Sequence, residues 1–272
     1  MRLLILTRRS LFSIGFCFLI AVIAGTIAIT STVKSVQTAN VKREIPIYYV
    51  DTDKKQVALS FDAAWGNEQT NDLLDILDKY KVKTTFFLVG DWVEKYPDSV
   101  KEIAKRGHDV GNHSNTHPHM TQLSTSDMTS QIQSCNEKIN KLTNNTTTLF
   151  RAPYGDYNND VVKAVNNCKM YCVQWDVDSL DWKDPTPEQI TKNVVNKLKN
   201  GSIILMHNGA KNTPVALPMV IEGIKNAGYE IVPISQILLK GAYYTDVDGK
   251  MCAKQLPENS RTEPTANTSS SR

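Results

Sequence analysis

Strand-like and helix-like segments alternate along the middle of the chain, and this alternation constrains the fold more than any other feature. Seven β-type runs lie between residues 57 and 234: "VALSF", "KTTFFLV", "HDVGN", "LFRA", "YCVQWDV", "SIILMH" and "YEIVPI". Amphipathic segments such as "TNDLLDILDKY" and "PEQITKNVVNKLKNG" separate them. Strands that alternate with helices form βαβ units and a parallel sheet. The sequence therefore predicts an α/β fold, with a (β/α) barrel of about seven parallel strands favoured over an open sheet.

The N-terminal segment is apolar enough to interact with a membrane. Arg2, Arg8 and Arg9 precede the uncharged, mostly apolar segment Leu11–Ile29. A spanning helix needs roughly 17–25 residues, whereas a signal-peptide core has about 7–15. The segment is thus predicted to be a retained single-pass anchor in the cell membrane, with the arginines cytoplasmic and the rest of the chain outside. Its cleavage as a signal, which would secrete the protein, is the alternative.

The composition divides the chain into four regions. We assign residues 1–31 to a short cytoplasmic N-terminus and the anchor, 32–50 to a polar linker, 51–240 to the folded domain and 241–272 to a tail. The tail is rich in Ser, Thr, Asn, Glu and Pro, so it is predicted to be disordered. A net charge of +3 is too small to favour nucleic acid as a partner.

Polar side chains follow several of the predicted strands. Asp62, Arg151, Asp181 and His207 all lie at or just beyond strand ends, and in a barrel such positions converge on one face. A core histidine is the alternative interpretation of His207. Loop salt bridges are the alternative for the arginine and for the acid beside Trp182.

Two histidines have a spacing that suits a metal. His113 and His117 form an H-x-x-x-H pair just after a strand, and on a helical turn both imidazoles would point the same way. Two surface histidines are the alternative interpretation. Of the five histidines in the chain, the four between residues 108 and 119 are clustered, which favours a divalent metal site.

In order along the chain these residues form five motifs: Phe61-Asp62, "HSNTH" from residue 113, "RAPY" from residue 151, "DSLDW" from residue 178 and "LMH" from residue 205. This series resembles the polysaccharide deacetylases with a NodB homology domain, carbohydrate esterase family four. The resemblance extends from about Val57 to Leu239. It is strongest to the sporulation-associated branch, which includes cortex peptidoglycan deacetylases.

The resemblance implies a distorted (β/α) barrel that uses a divalent metal, usually zinc, to remove acetyl groups from amino sugars of a cell-envelope polysaccharide. The substrate it implies here is peptidoglycan, with a chitin-like oligosaccharide as the alternative. By motif position, His113 and His117 match the metal ligands. Asp62 matches the general base that acts on water, and Arg151 matches the arginine that orients this base.

The remaining matched positions concern the acid and the groove. His207 matches the general acid, and Asp181 matches the carboxylate that tunes it. Tyr154 matches the residue whose backbone N–H stabilises the oxyanion and whose ring lines the groove. Trp182 matches an aromatic groove wall, and Leu205 matches a residue that lines the acetyl pocket.

One position departs from the family pattern. The family has a second acid after the base, as third metal ligand, and this chain has Ala63 there. Three outcomes remain open: a metal held by two histidines and water, replacement of the ligand by His119 or Asp62, or loss of the metal. The last would leave a membrane-tethered glycan-binding domain. A serine hydrolase is disfavoured because the chain has no G-x-S-x-G motif.

Overall fold

The structure is a computed structural model that describes residues 43–254 and, before them, Leu19, Ile20, Val22 and Ile23. The chain divides into two units, Met1–Arg43 and Glu44–Arg272. Most of the predicted anchor Leu11–Ile29 and the end of the predicted tail lie outside the described residues. Among those that are described, no helix is both long and apolar enough to cross a bilayer.

The second unit is built around a curled parallel sheet. Its strands are β2 (Gln56–Ala63), β3 (Thr85–Leu88), β4 (Asp109–Asn112), β5 (Leu149–Phe150), β6 (Tyr171–Cys172), β7 (Val177–Asp178), β8 (Ile203–His207) and β9 (Glu230–Val232). The order is β6-β5-β4-β3-β2-β8-β7, and β9 pairs with the start of β2. Each of the seven predicted runs contains a strand, so the predicted α/β fold and parallel sheet are confirmed, in the form of a curled half-barrel.

The run "YCVQWDV" explains why eight strands replace seven. Its start forms β6, which pairs with β5, and its end forms β7, which pairs with β8 at the opposite edge of the sheet. Only four residues separate the two edges, and Gln174 in this gap donates its backbone N–H to the Ile47 carbonyl at 2.7 Å. The two edges of the sheet are therefore brought together by a single segment.

Helices cover the outer face of the sheet. They are α1 (Thr70–Lys79), α2 (Gly90–Lys95), α3 (Pro97–Lys105), α4 (Thr125–Thr143), α5 (Asn159–Asn167), α6 (Pro187–Val195), α7 (Thr213–Asn226) and the short α8 (Ile234–Ile237). Pro97 begins α3 and so separates it from α2. Helix α6 begins with a Thr186–Gln189 capping box and ends at Val195.

Strand β2 shows how the sequence separates the two faces of the sheet. Val57, Leu59, Phe61 and Ala63 pack into the apolar layer between sheet and helices. Because successive side chains alternate, the residues between them face the inside of the curled sheet. Asp62 is thus directed inward at the carboxyl end of the central strand.

A second, three-stranded sheet corrects the predicted domain boundaries. Strand β1 (Tyr49–Val50) pairs with β11 (Lys250–Ala253), which also pairs with β10 (Tyr243–Thr245). Ile47 and Met251 are buried in a shared apolar cluster. The end of the predicted linker and the start of the predicted disordered tail therefore belong to the fold, because each supplies the pairing and apolar contacts that the other lacks.

Candidate active site

A cavity of about 530 Å³ opens at the carboxyl ends of the parallel strands. Seven of the sequence-predicted site residues contribute to its wall, together with three residues that had no assigned role. The full lining is Asp62, Trp65, His113, His117, Tyr154, Trp175, Asp178, Trp182, Leu205 and His207. Arg151 and Asp181 lie directly behind this wall and are fully buried.

The strand register explains why these residues meet. Asp62 and His207 are paired neighbours on β2 and β8. His113 follows Asn112, the last residue of β4, which pairs with Phe150 of β5. Arg151 follows that phenylalanine, so parallel strands of matched register bring residues distant in sequence to one end of the sheet.

Asp62 is oriented by Arg151 and lies beside His113. Its Oδ1 accepts a hydrogen bond of 2.8 Å from Arg151 Nη1, and its Oδ2 lies 3.4 Å from His113 Nε2. Burial acts to raise the pKa of Asp62, but the charge of Arg151 and the nearby histidines outweigh it, so the pKa is lowered. The carboxylate is therefore ionised and oriented, as a general base must be.

The two predicted metal-binding histidines lie in a loop rather than on the predicted helical turn. Ser114 and His117 have positive φ angles of 68° and 59°. Side-chain acceptors stabilise this loop: Asn112 Oδ1 accepts from the Ser114 N–H, and Ser114 Oγ accepts from the His117 N–H. The rings still approach each other, with centroids 4.9 Å apart. Left-handed non-glycine residues cost energy and cluster at functional sites.

Both histidines are neutral near pH 7. Burial lowers the pKa of His113, and it lowers the pKa of His117 to about 4, with His113 adding to the effect. His113 Nδ1 lies 2.8 Å from the Arg151 carbonyl oxygen, which can only accept. The proton is thus on Nδ1, and the lone pair of Nε2 faces the cavity. This backbone carbonyl orients the ring.

On the opposite side of the cavity, Asp181 holds His207 in place. Its Oδ1 is 2.7 Å from His207 Nδ1, and its Oδ2 accepts from the His207 backbone N–H and from Thr213 Oγ1. Burial acts to lower the pKa of His207, but the hydrogen bond and charge of Asp181 outweigh it, so the pKa is raised. This histidine is arranged to carry a proton.

Aromatic rings surround the opening of the cavity. Tyr154 and Trp182 are 61% and 52% exposed, and Trp65 is 47% exposed. The ring of Tyr154 contacts His117 edge-on and is stacked on His119, whose Nδ1 is 3.4 Å from Asp156. His119 is therefore a packing partner of Tyr154, and it does not line the cavity. Exposed rings of this kind provide apolar faces on which sugars can pack.

The residues present do not complete a site with three protein ligands for a metal. His113 and His117 offer two neutral nitrogen ligands, and Ala63 has no donor atom and packs in the apolar layer. In the part of the chain that the structure describes, no three His, Cys, Asp or Glu side chains form a group that could hold a metal ion. Metal binding by the two histidines stays a prediction.

Sequence reasoning missed three residues of the cavity: Trp65, Trp175 and Asp178. Trp65 lies three positions after Asp62, and Trp175 lies in the segment between β6 and β7. Asp178 is the first residue of the "DSLDW" motif and accepts from the Leu180 N–H at 2.8 Å. All three lie close to strand ends, and this closeness was the signal available in the sequence.

Comparison with known proteins gives several relatives. The family model of polysaccharide deacetylases matches residues 49–173. The peptidoglycan-N-acetylmuramic acid deacetylase PdaC of Bacillus subtilis is 37% identical, over 69% of this chain and 40% of PdaC. A peptidoglycan-N-acetylglucosamine deacetylase of Bacillus cereus is 35% identical, over 67% of this chain and 68% of that protein. The chain spans 60% and 40% of the lengths of the first two curated relatives.

Among solved structures, BA3943 from Bacillus anthracis is described as a CE4 family pseudoenzyme. It is 38% identical with a TM-score of 0.69, over 71% of this chain and 68% of that chain. A BA3943 mutant described as having restored enzymatic activity is 40% identical with the same TM-score, over 71% and 70% of the two chains. The chain is therefore similar both to named deacetylases and to a pseudoenzyme.

Proposed function

The chain belongs to the polysaccharide deacetylase family, carbohydrate esterase family four, and we propose that it hydrolyses N-acetyl groups of amino sugars in peptidoglycan. One observation carries this proposal: an ionised Asp62 and a proton-carrying His207 are neighbours across β2 and β8 in a single cavity. The names of the relatives support peptidoglycan as the polymer.

The two groups suit opposite halves of an amide hydrolysis. Asp62, oriented by Arg151, removes a proton from the water that adds to the acetyl carbon. His207, held by Asp181, donates a proton to the sugar nitrogen as the carbon–nitrogen bond breaks, and acetate and the free amine leave. Acid–base groups placed in this way contribute about 10²–10⁴-fold each. The Tyr154 backbone N–H is proposed to stabilise the oxyanion, and Leu205 to contact the acetyl methyl group.

Zinc dependence and the use of the sporulation-associated substrate, cortex peptidoglycan, are finer parts of the same proposal. The lone pair of His113 Nε2 supports metal binding, and Ala63 opposes tight binding. Attachment to the membrane through Leu11–Ile29 is proposed on the length of the apolar segment and its arginine flank. Mass measurement of the mature chain tests the attachment, since a chain that starts near Thr32 would show cleavage.

A non-catalytic glycan-binding protein is the second candidate. It is favoured by one observation, the missing third ligand at Ala63, and by similarity to a pseudoenzyme. The aromatic opening of the cavity suits a bound sugar chain in either case.

Acetate release separates the two candidates. The full chain is incubated with N-acetylated peptidoglycan and with chitooligosaccharide, with added Zn²⁺ and after chelation, beside Asp62→Asn and the surface variant Asp98→Asn. A deacetylase releases acetate in the parent and in Asp98→Asn but not in Asp62→Asn. Equal binding of the sugar chain by the parent and Asp62→Asn, with no acetate released under any condition, would establish the binding protein instead.

A further inference from the structure

Trp65 covers one face of the predicted general acid. The indole ring is stacked on the imidazole of His207, with centroids 5.3 Å apart and planes 30° apart. Trp65 lies in the loop that follows β2, whereas His207 ends β8. The contact thus joins this loop to the end of β8 at the carboxyl end of the sheet, beside the cavity that both residues line.

Gly209 makes this contact possible. A Cβ atom added there would lie 2.6 Å from Trp65 Nε1 and 2.7 Å from the Trp65 carbonyl oxygen. Contacts below 3.0 Å do not occur at real Cβ atoms, so any larger residue would displace the tryptophan. The glycine is required here by the close approach of the indole and not by its backbone conformation.

The loop that carries Trp65 is fixed on both sides. Trp92 Nε1 donates to the Gly66 carbonyl at 2.6 Å, and the Asn208 backbone N–H donates to the Asp62 carbonyl at 3.1 Å. Asn208 Nδ2 also donates to Thr70 Oγ1 at 3.2 Å. The indole is consequently held by a braced backbone although half of its surface is exposed.

His207 is therefore restrained in two directions. Asp181 binds the ring at its Nδ1 edge, and Trp65 packs against its face. Rotation about the Cβ–Cγ bond would break one contact or the other. Nε2 is the ring nitrogen left for the cavity.

We propose that Trp65 is a positioning residue for His207, which it holds so that Nε2 addresses the leaving nitrogen, and that Gly209 is the position that admits it. The inference rests on the proposed role of His207 as proton donor. The rate of a catalysed step falls steeply when a reacting group is displaced, since about 1 Å of misplacement costs on the order of a hundredfold in rate. An indole face also favours a cationic imidazole.

Activity provides the first test. Trp65→Ala is expected to lower kcat about tenfold to a hundredfold while KM changes less, and Trp65→Phe, which keeps a ring, restores most of kcat. Gly209→Ala is expected to match Trp65→Ala. The double variant should be no worse than either single variant, because both remove one contact. A rise in KM with unchanged kcat would overturn the proposal and make Trp65 only a wall of the groove.

A second test does not depend on turnover. The Hε1 proton resonance of His207, identified by its loss in His207→Gln, is followed by NMR over roughly pH 5 to 9. The charged groups near this ring are Asp181, Asp62 and Asp178, and none of them changes in the variants. Trp65→Ala and Gly209→Ala are expected to remove the ring-current shift of this resonance and to lower the pKa of His207.

The matched control is Trp182→Ala, which removes another half-exposed tryptophan of the same cavity that is not stacked on His207. It is expected to leave the resonance and its titration unchanged. If the parent releases no acetate but the resonance responds as described, the proposed function fails and the positioning contact stands. If Trp65→Ala leaves the resonance unchanged, the inference is overturned whatever the activity.

Discussion

The two walls of the cavity differ in how completely other protein groups pair with their polar atoms. We call Asp62 and His113 with His117, backed by Arg151, the base wall, and Leu205 and His207, backed by Asp181 and Thr213, the acid wall. In the acid wall, Oδ1 of Asp181 contacts the imidazole, and its Oδ2 accepts two hydrogen bonds. That wall is complete with protein groups alone.

The base wall is not complete. A carboxylate oxygen and the lone pair of His113 face each other at 3.4 Å, and Ala63 replaces the expected third ligand. The buried Nε of Arg151 has no hydrogen-bond partner in the described part of the chain. The comparison teaches that protein groups satisfy the surroundings of the proposed acid His207, whereas the surroundings of the proposed base Asp62 leave polar atoms without a partner among the described residues.

The largest effect on activity is expected from removal of the proposed base. Asp62→Asn is expected to lower kcat/KM for acetate release about 10²–10⁴-fold, because the amide cannot accept the proton of the attacking water. Asp98→Asn, whose side chain is 96% exposed, serves as control and keeps the parent rate. Activity within tenfold of the parent in Asp62→Asn would show that the base wall does not supply the base.

Stability provides the second way to test the base wall. Arg151→Met leaves Asp62 buried without its cationic partner and is expected to cost about 3–5 kcal/mol in the free energy of unfolding at neutral pH. Since the pair lowers the pKa of Asp62, its contribution is present above the unfolded pKa and is lost as pH falls through the folded value. Urea unfolding at several pH values measures both effects.

The control for this measurement is Arg106→Met. Arg106 bridges Asp75, Asp78 and Glu102 at the surface, where such pairs contribute about 0–1 kcal/mol. The double variant Arg151→Met with Asp62→Asn should recover part of the lost stability. Equal losses of unfolding free energy in Arg151→Met and Arg106→Met would mean that the buried Arg151–Asp62 pair contributes no more to stability than the surface pairs.

The third prediction concerns a variant that restores the expected third metal ligand of the base wall. Ala63→Asp is expected to tighten Zn²⁺ binding at least about 10–100-fold, because even the loss of groups that only support metal ligands has effects of this size. Turnover need not rise, since a carboxylate ligand also weakens the metal as a Lewis acid. Titration with Zn²⁺ compares this variant with the parent, with Asp62→Asn and with Ala64→Asp, which adds the same charge one residue later.

The outcomes of this titration are distinct. Unchanged affinity together with lower stability would place the new carboxylate in the apolar layer beside Phe61, where Ala63 now packs. Unchanged affinity and stability would mean that another residue already fills the third position. Loss of binding in Asp62→Asn would make Asp62 itself a ligand, and the base would then have to be sought elsewhere.

Much of this comparison was accessible from the sequence. Alternating apolar residues locate the central strands, and strand-end positions bring Asp62, His113 and His207 to one cavity. The non-helical loop of the histidine pair was not predicted, because it depends on capping by Asn112 and Ser114. Their roles in chemistry stay predictions.

Two features could not be predicted because they depend on distant contacts. The segment "YCVQWDV" looks like one strand, and only the curl of the sheet divides it between two edges. Strands β1, β10 and β11 are each too short to be recognised alone. β10 and β11 form a local hairpin, and β1 pairs with β11 from the other end of the domain, as between Tyr49 and Lys250. Local composition contains no information on such partners.

The smallest expected effect concerns the acid wall. Asp181→Asn removes the charge that raises the pKa of His207, while burial, which lowers it, remains. The protonated fraction at neutral pH falls, so the basic limb of the pH–rate profile moves to lower pH. The acidic limb, which the proposed base Asp62 sets, should not move, because Asp62 and its partner Arg151 are unchanged. We expect kcat at pH 7 to fall about tenfold, in line with the loss of a hydrogen bond to a charged group.

Asp178→Asn is the matched control, because it removes a carboxylate that lines the same cavity without a hydrogen bond to the imidazole. Its basic limb should move less than that of Asp181→Asn. The effect on stability has the matching sign. Because the pKa of His207 is raised in the folded state, protonated His207 stabilises the parent below the unfolded pKa near 6.5. This contribution is lost as pH rises through the folded pKa. Asp181→Asn should therefore weaken the protein more at acidic than at alkaline pH. A loss of unfolding free energy that is the same at every pH would show that Asp181 acts only through packing. The contrast between the two walls would then be wrong.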